Sequence, residues 1–172
     1  MHTYISSQAP KELFVSIDEA AMELMHLMLP LSESQMNAVP FKDSWTAAQL
    51  ATHVTKSNNG MVQALEMEGK PATRKPDERV KELKDTFLDF STKLKSPDFI
   101  IPESGEYRKE LVIGALKKSN DKLKKSAAKA NPDEMISLPA AFGEITKLEL
   151  FHFVLYHTKR HIHQLKNIVQ HI

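Results

Sequence analysis

"TKLELFHFVLYHTKRHIHQLKNIVQHI", residues 146–172, decides the fold. Thr146 followed three residues later by Glu149 is a capping box, in which each side chain satisfies a free backbone N–H at a helix start. Behind it Leu150, Phe151, Val154, Leu155, Ile162, Leu165, Ile168 and Val169 recur at helical spacing. On a wheel advancing about 100° per residue they share one sector roughly 140° wide. A long amphipathic helix running nearly to Ile172 follows, and it must bury that face against other helices.

The same wheel sorts the histidines. With His157 at zero, His161 lies at about 40°, so both sit at one edge of the core face. His152 and His163 lie at about −140° and −120°, beside Lys159 and Lys166, and are expected to face solvent.

Working outward, the dominant period is helical throughout. Phe14, Ile17, Ala21, Leu24, Met25 and Met28 define a first helix from about Pro10 to Leu29, ended by Pro30. A second capping box, Thr46 and Gln49, opens a helix that runs to about Glu68. Leu50, Val54, Met61 and Leu65 form its core face, with His53 at the margin and Ser57 one turn further on. Asn58 falls in the middle of the apolar face, where burial demands partners, and a helix–helix hydrogen bond is the simple answer. "PDERVKELKDTFLDFSTKLK", residues 76–95, predicts a third helix, and "SPDFIIPESGEY", residues 96–107, a loop. A fourth helix covers roughly Tyr107 to Lys129, with Leu116, Leu123 and Ala127 on one face. "NPDEMISLPAAFGE", residues 131–144, is the next connector. Only five glycines occur, and no alternation of apolar and polar residues marks a strand. The expected fold is an all-α, single-domain four-helix bundle over residues 1–172, with an extra short helix between core helices 2 and 3.

Composition excludes several functions. A net charge of +1 provides no global field toward nucleic acid or membrane. The lysines of "KKSNDKLKKSAAK", residues 117–129, lie opposite Leu116, Leu123 and Ala127 and read as a solvated face without interleaved aromatics. The chain contains no cysteine, hence no disulfide, thiolate metal site or cysteine nucleophile. No signal peptide is visible at the start, and no apolar run approaches the roughly 18 residues of a membrane span. A cytoplasmic protein is expected. The methionines, among them Met22, Met25, Met28 and Met61, read as core filler.

Two imidazoles four apart on one helix can point at one ion, and His53, inward-facing on a neighbouring helix, supplies a third corner. Three histidine nitrogens suit Zn²⁺, Ni²⁺ or Fe²⁺ and leave a position open for water or substrate. The plainer alternative is a set of partly buried histidines hydrogen-bonded within a bundle. A zincin protease is excluded, because position 158 is Thr rather than the required Glu. Gln164, at about −20°, lies on the triad's side and could orient a ligand or water, as could Ser57; each is otherwise an ordinary half-buried polar residue. Trp45 reads as a packing residue at the second helix's entry. Glu149 is a cap, so no general base is assigned.

Two stretches carry a family resemblance. "WTAAQLATHV", residues 45–54, places an inward His eight residues after a Trp; "ELFHFVLYHTKRHIHQLKNI", residues 149–168, carries H-x-x-x-H with a Gln three residues on. Together they resemble the DinB/YfiT-like superfamily of metal-dependent enzymes. The resemblance implies a four-helix bundle with a long crossover and a divalent transition metal held by His53, His157 and His161. It also implies a small-molecule substrate, either in thiol S-transfer from a low-molecular-weight thiol or in hydrolysis, and a homodimer. The absence of cysteine fits a thiol arriving as cosubstrate. The competing expectation is a non-catalytic, dimeric bundle with structural histidines.

Overall fold

The computed structural model describes residues 8–139 and 142–172. Four long helices carry the molecule: α1 (Gln8–Met28), α3 (Ala47–Glu66), α5 (Lys109–Lys129) and α6 (Lys147–Val169). Two short ones interrupt the connections, α2 (Glu33–Asn37) and α4 (Val80–Phe87). Because α4 lies between α3 and α5, it is the expected extra helix between core helices 2 and 3. α1 packs along α6, α6 and α5 both flank α3, and a thinner contact between α1 and α5 closes the ring. Of the consecutive core helices, α3 and α5 are therefore neighbours, whereas α1 and α3, and α5 and α6, face each other across the diagonals. Among the described residues no helix is long and apolar enough to cross a membrane.

The core follows the apolar faces. Leu24, Met28, Leu50, Leu116, Leu150, Phe151, Leu165 and Ile168 are buried, and Phe14 of α1 meets Phe151 of α6 edge-on at 5.0 Å. Met22 departs from its expected core role; it is 57% exposed, because α1 turns that side away from α6. Asn58 is buried on α3 and donates to Asn120 Oδ1 (2.8 Å) and Ser119 Oγ (3.3 Å) of α5, the expected helix–helix bond.

Both expected capping boxes form, at Thr46/Gln49 and Thr146/Glu149, and a third at Ser32/Gln35 starts α2. The helix expected over residues 76–95 shrinks to eight residues. Asp89 explains the early stop: its carboxylate accepts from Ser91 N (3.0 Å) and Thr92 Oγ1 (2.7 Å), a local turn that competes with helix continuation.

The connector 131–144 is not loop alone. β2 (Glu134–Leu138) and β3 (Gly143–Thr146) form an antiparallel hairpin with Ile136 opposite Ile145, and β1 (Lys70–Pro71) adds to β2 with Lys70 opposite Met135. This small sheet corrects the expectation of no strand. Its alternation is too short to register in sequence, and its stability comes from burying Ile136 and Ile145 against the bundle. Gly69 permits the pairing, since a Cβ there would lie 2.7 Å from Glu134 Cβ. Buried Lys147 then ties three elements together, donating to Met67 O (2.8 Å) beyond α3 and to Glu134 Oε2 (2.6 Å) on β2.

Candidate metal centre

Packing of α3 against α6 brings His53 to His157 and His161. All three are buried, at 2%, 6% and 6% exposure, and they offer nitrogens within 4.8 Å of one another. Nε2 of His157 lies 3.2 Å from Nε2 of His53 and 3.1 Å from Nε2 of His161. His152 and His163 are not in this group. His163 is exposed and stacks on Phe90 at 4.1 Å. His152 is half-buried rather than solvent-facing, 3.3 Å from the Tyr156 hydroxyl, with Asp77 of the segment preceding α4 near enough to act on its charge.

The outer nitrogens set the protonation pattern. His53 Nδ1 donates to the Ile100 carbonyl (3.0 Å), and His161 Nδ1 donates to Gln164 Oε1 (2.9 Å). A neutral imidazole with its proton on Nδ1 presents a lone pair at Nε2. Two such lone pairs face His157 Nε2, which can donate a proton to only one of them. A cation satisfies all three nitrogens at once. The spacing agrees, since Zn–N bonds of about 2.0–2.1 Å at tetrahedral angles set nitrogens roughly 3.3 Å apart.

Electrostatics keep the rings neutral. Burial pushes the His161 pKa down to about 3, helped by His53 and Arg160 and opposed by the Gln164 hydrogen bond. Burial also drives His157 well below the ordinary histidine value, with His161, His53 and Arg160 adding to it. His53 is lowered by burial against the opposing pull of its Ile100 hydrogen bond. Neutral imidazole is the ligating form.

Aromatic rings wall the group. Trp45 lies 4.8 Å from the His53 ring, so the residue expected as a helix-entry packer also forms one wall of the site. Phe153 stacks on His157 at 5.1 Å, and Phe87 meets His157 edge-on at 6.1 Å. Of the two polar residues singled out from sequence, Gln164 reaches the triad. Ser57 is buried on α3 but makes no hydrogen bond to any of the three imidazoles.

Glu149 is the cap expected from sequence and more. Its fully buried carboxylate accepts from Thr146 N (3.0 Å), Arg79 N (2.8 Å) and both Nη atoms of Arg74 (2.5 and 2.8 Å). Burial favours the neutral acid, but these donors outweigh it and hold the pKa below the usual carboxylate range. It is fully engaged away from the histidines. Among the described residues no carboxylate joins the triad. Sequence reasoning missed Arg160 and the Ile100 carbonyl. Arg160 stands between the two histidines of α6, and its role depends on a segment about 70 residues away.

A family model described as the DinB superfamily matches residues 16–165. Among solved structures, YfiT from Bacillus subtilis, described as a probable metal-dependent hydrolase with an unusual four-helix bundle topology, is similar with a TM-score of 0.65 and 14% identity. That alignment covers 99% of this chain and 91% of YfiT. TT2238, described as a four-helix bundle protein, aligns with a TM-score of 0.59 and 18% identity over 91% of this chain and 98% of its own. At these identities the two structures speak for the fold. A search of curated proteins found no match.

Proposed function

The chain belongs to the DinB superfamily, and from that premise we propose that it is a metal-dependent enzyme acting on a small molecule, by hydrolysis or by S-transfer from a low-molecular-weight thiol. One observation carries this reading: three neutral imidazoles converge through Nε2, with two of their tautomers locked by outer hydrogen bonds. A purely structural role for the histidines would not require lone pairs to be aimed at one another. The description of YfiT as a probable metal-dependent hydrolase agrees with the first form of the reaction.

His53, His157 and His161 would hold Zn²⁺, Ni²⁺ or Fe²⁺. Bound there, such a cation supplies Lewis acidity, lowering the pKa of an adjacent water or thiol toward 7. The chain's own residues do the rest. Ile100 O and Gln164 Oε1 fix the orientation of two imidazoles and raise their basicity. Trp45, Phe87 and Phe153 exclude water and lower the local dielectric. Among the described residues no carboxylate base stands at the triad. The depth of the triad, at most 6% exposed, restricts the substrate to a compact reacting group.

Elemental analysis of untagged protein beside a His53→Ala variant tests the reading. About one transition metal per chain, lost in the variant, supports it and directs hydrolysis and thiol-transfer assays. No metal in either protein after incubation with Zn²⁺, Ni²⁺ or Fe²⁺ overturns it. Sedimentation tests the separate expectation of a homodimer.

A further inference from the structure

Residues 88–101 join α4 to the 3₁₀ turn Asp98–Ile100 and contain no other regular structure. Between Asp89 and Phe99 only Leu94 and Ser96 are even half-buried, and Phe99 is 75% exposed. Such a segment has little packing of its own to keep it in place. Its order comes from its two ends, and both ends hang from the metal centre.

At the first end, Arg160 of α6 donates to the carbonyls of Phe87 (3.3 Å), Asp89 (2.8 Å) and Thr92. Arg160 directly precedes His161. Phe87 rests edge-on against His157, and Phe90 stacks on His163. At the other end, the Ile100 carbonyl accepts from His53 Nδ1 (3.0 Å), while Lys56, one turn further along α3, donates to Ile101 O (2.9 Å) and Glu103 Oε1 (2.5 Å). The segment thus bridges the α6 ligand pair and the α3 ligand, and one of its anchors is itself a proposed ligand.

We infer that residues 88–101 are a strap whose docking is linked to loading of the metal centre, with Arg160 as the residue that positions it. The inference rests on the reading of His53, His157 and His161 as metal ligands. A cation on Nε2 draws electron density from the ring and strengthens the Nδ1–H bond to Ile100 O, which becomes charge-assisted. Loading therefore favours the docked strap. By reciprocity, a docked strap raises affinity for the cation by the same factor.

The strap carries its own reporters, Lys93 and Lys95, both exposed. Trypsin cleavage after these residues is followed with and without saturating Zn²⁺, with rates normalised to an unfolded substrate, while equilibrium dialysis counts bound Zn²⁺. The expected result is roughly tenfold slower cleavage in the loaded protein, the scale of an outer hydrogen bond to a metal ligand. Arg160→Gln should lose most of that protection and bind Zn²⁺ more weakly by a matching factor. If that variant fails to fold, Lys56→Met tests the opposite anchor, and amide exchange of the strap in the wild-type chain needs no substitution. One Zn²⁺ bound with unchanged cleavage and exchange would overturn the strap while leaving the metal centre standing. No Zn²⁺ bound would overturn the metal centre and the strap with it.

Discussion

Gln164 offers a sharp test because two substitutions there should act in opposite directions. Its Oε1 accepts the His161 Nδ1 proton at 2.9 Å, and the side chain is half-buried at the edge of α6. Gln164→Leu leaves that N–H without an acceptor and releases the ring to rotate or change tautomer. Loss of such an outer partner weakens metal binding by about 10- to 100-fold, or roughly 1.4–2.7 kcal/mol. Gln164→Glu keeps the acceptor and adds a negative charge behind the imidazole, raising its basicity. Zn²⁺ should then bind about tenfold tighter than in the parent. Competition against a chelator at pH 7.5 measures both, at a pH where His161, with its pKa pushed down to about 3, is already neutral and proton competition drops out. Urea unfolding of metal-free Gln164→Leu should show a loss of about 1–3 kcal/mol, the cost of a buried His161 N–H without an acceptor, so the affinities are compared without denaturant. Equal Zn²⁺ affinities for the two variants, or a loss in Gln164→Glu as large as in Gln164→Leu, would refute the argument that this hydrogen bond presents the His161 lone pair.

Three further outcomes are expected. The metal-free protein should lose stability on acidification: a histidine whose folded pKa lies below its unfolded value stabilises fully above pH 6.5 and loses that contribution as pH falls toward the folded value. For His161 alone the drop between pH 7.5 and pH 5 is about 2 kcal/mol, with His53 and His157 adding in the same direction, so an unchanged urea midpoint across that range would contradict the burial of neutral imidazoles. Glu149→Ala strands Arg74 and two backbone donors in a buried setting and should cost about 3–5 kcal/mol in urea unfolding, a loss under about 1 kcal/mol being evidence that the pair is dispensable. His163→Ala should leave metal stoichiometry at the parental value in dialysis, because its ring faces Phe90 rather than the triad.

The sequence by itself determined the four long helices, because each carries enough turns for its apolar period to stand out and two begin with capping boxes that local chemistry makes unambiguous. The wheel of α6 likewise separated His157 and His161 from His163, since angle about a helix axis depends only on residue number. It misplaced His152, which is half-buried beside Tyr156 and near Asp77 of the segment before α4. What failed was short or non-local. α4 stops early because Asp89 folds a turn onto itself, and the three-stranded sheet exists only because Ile136 and Ile145 find the bundle to bury against. The family resemblance already implied His53 beside the α6 pair, but the tertiary structure alone set their separations and decided that Ile100 O and Gln164 Oε1 lock two tautomers. It also decided that Arg160 grips carbonyls about 70 residues away. Those contacts join positions 47 to 104 residues apart or depend on which rotamer packing enforces, and helical periodicity carries no information about either.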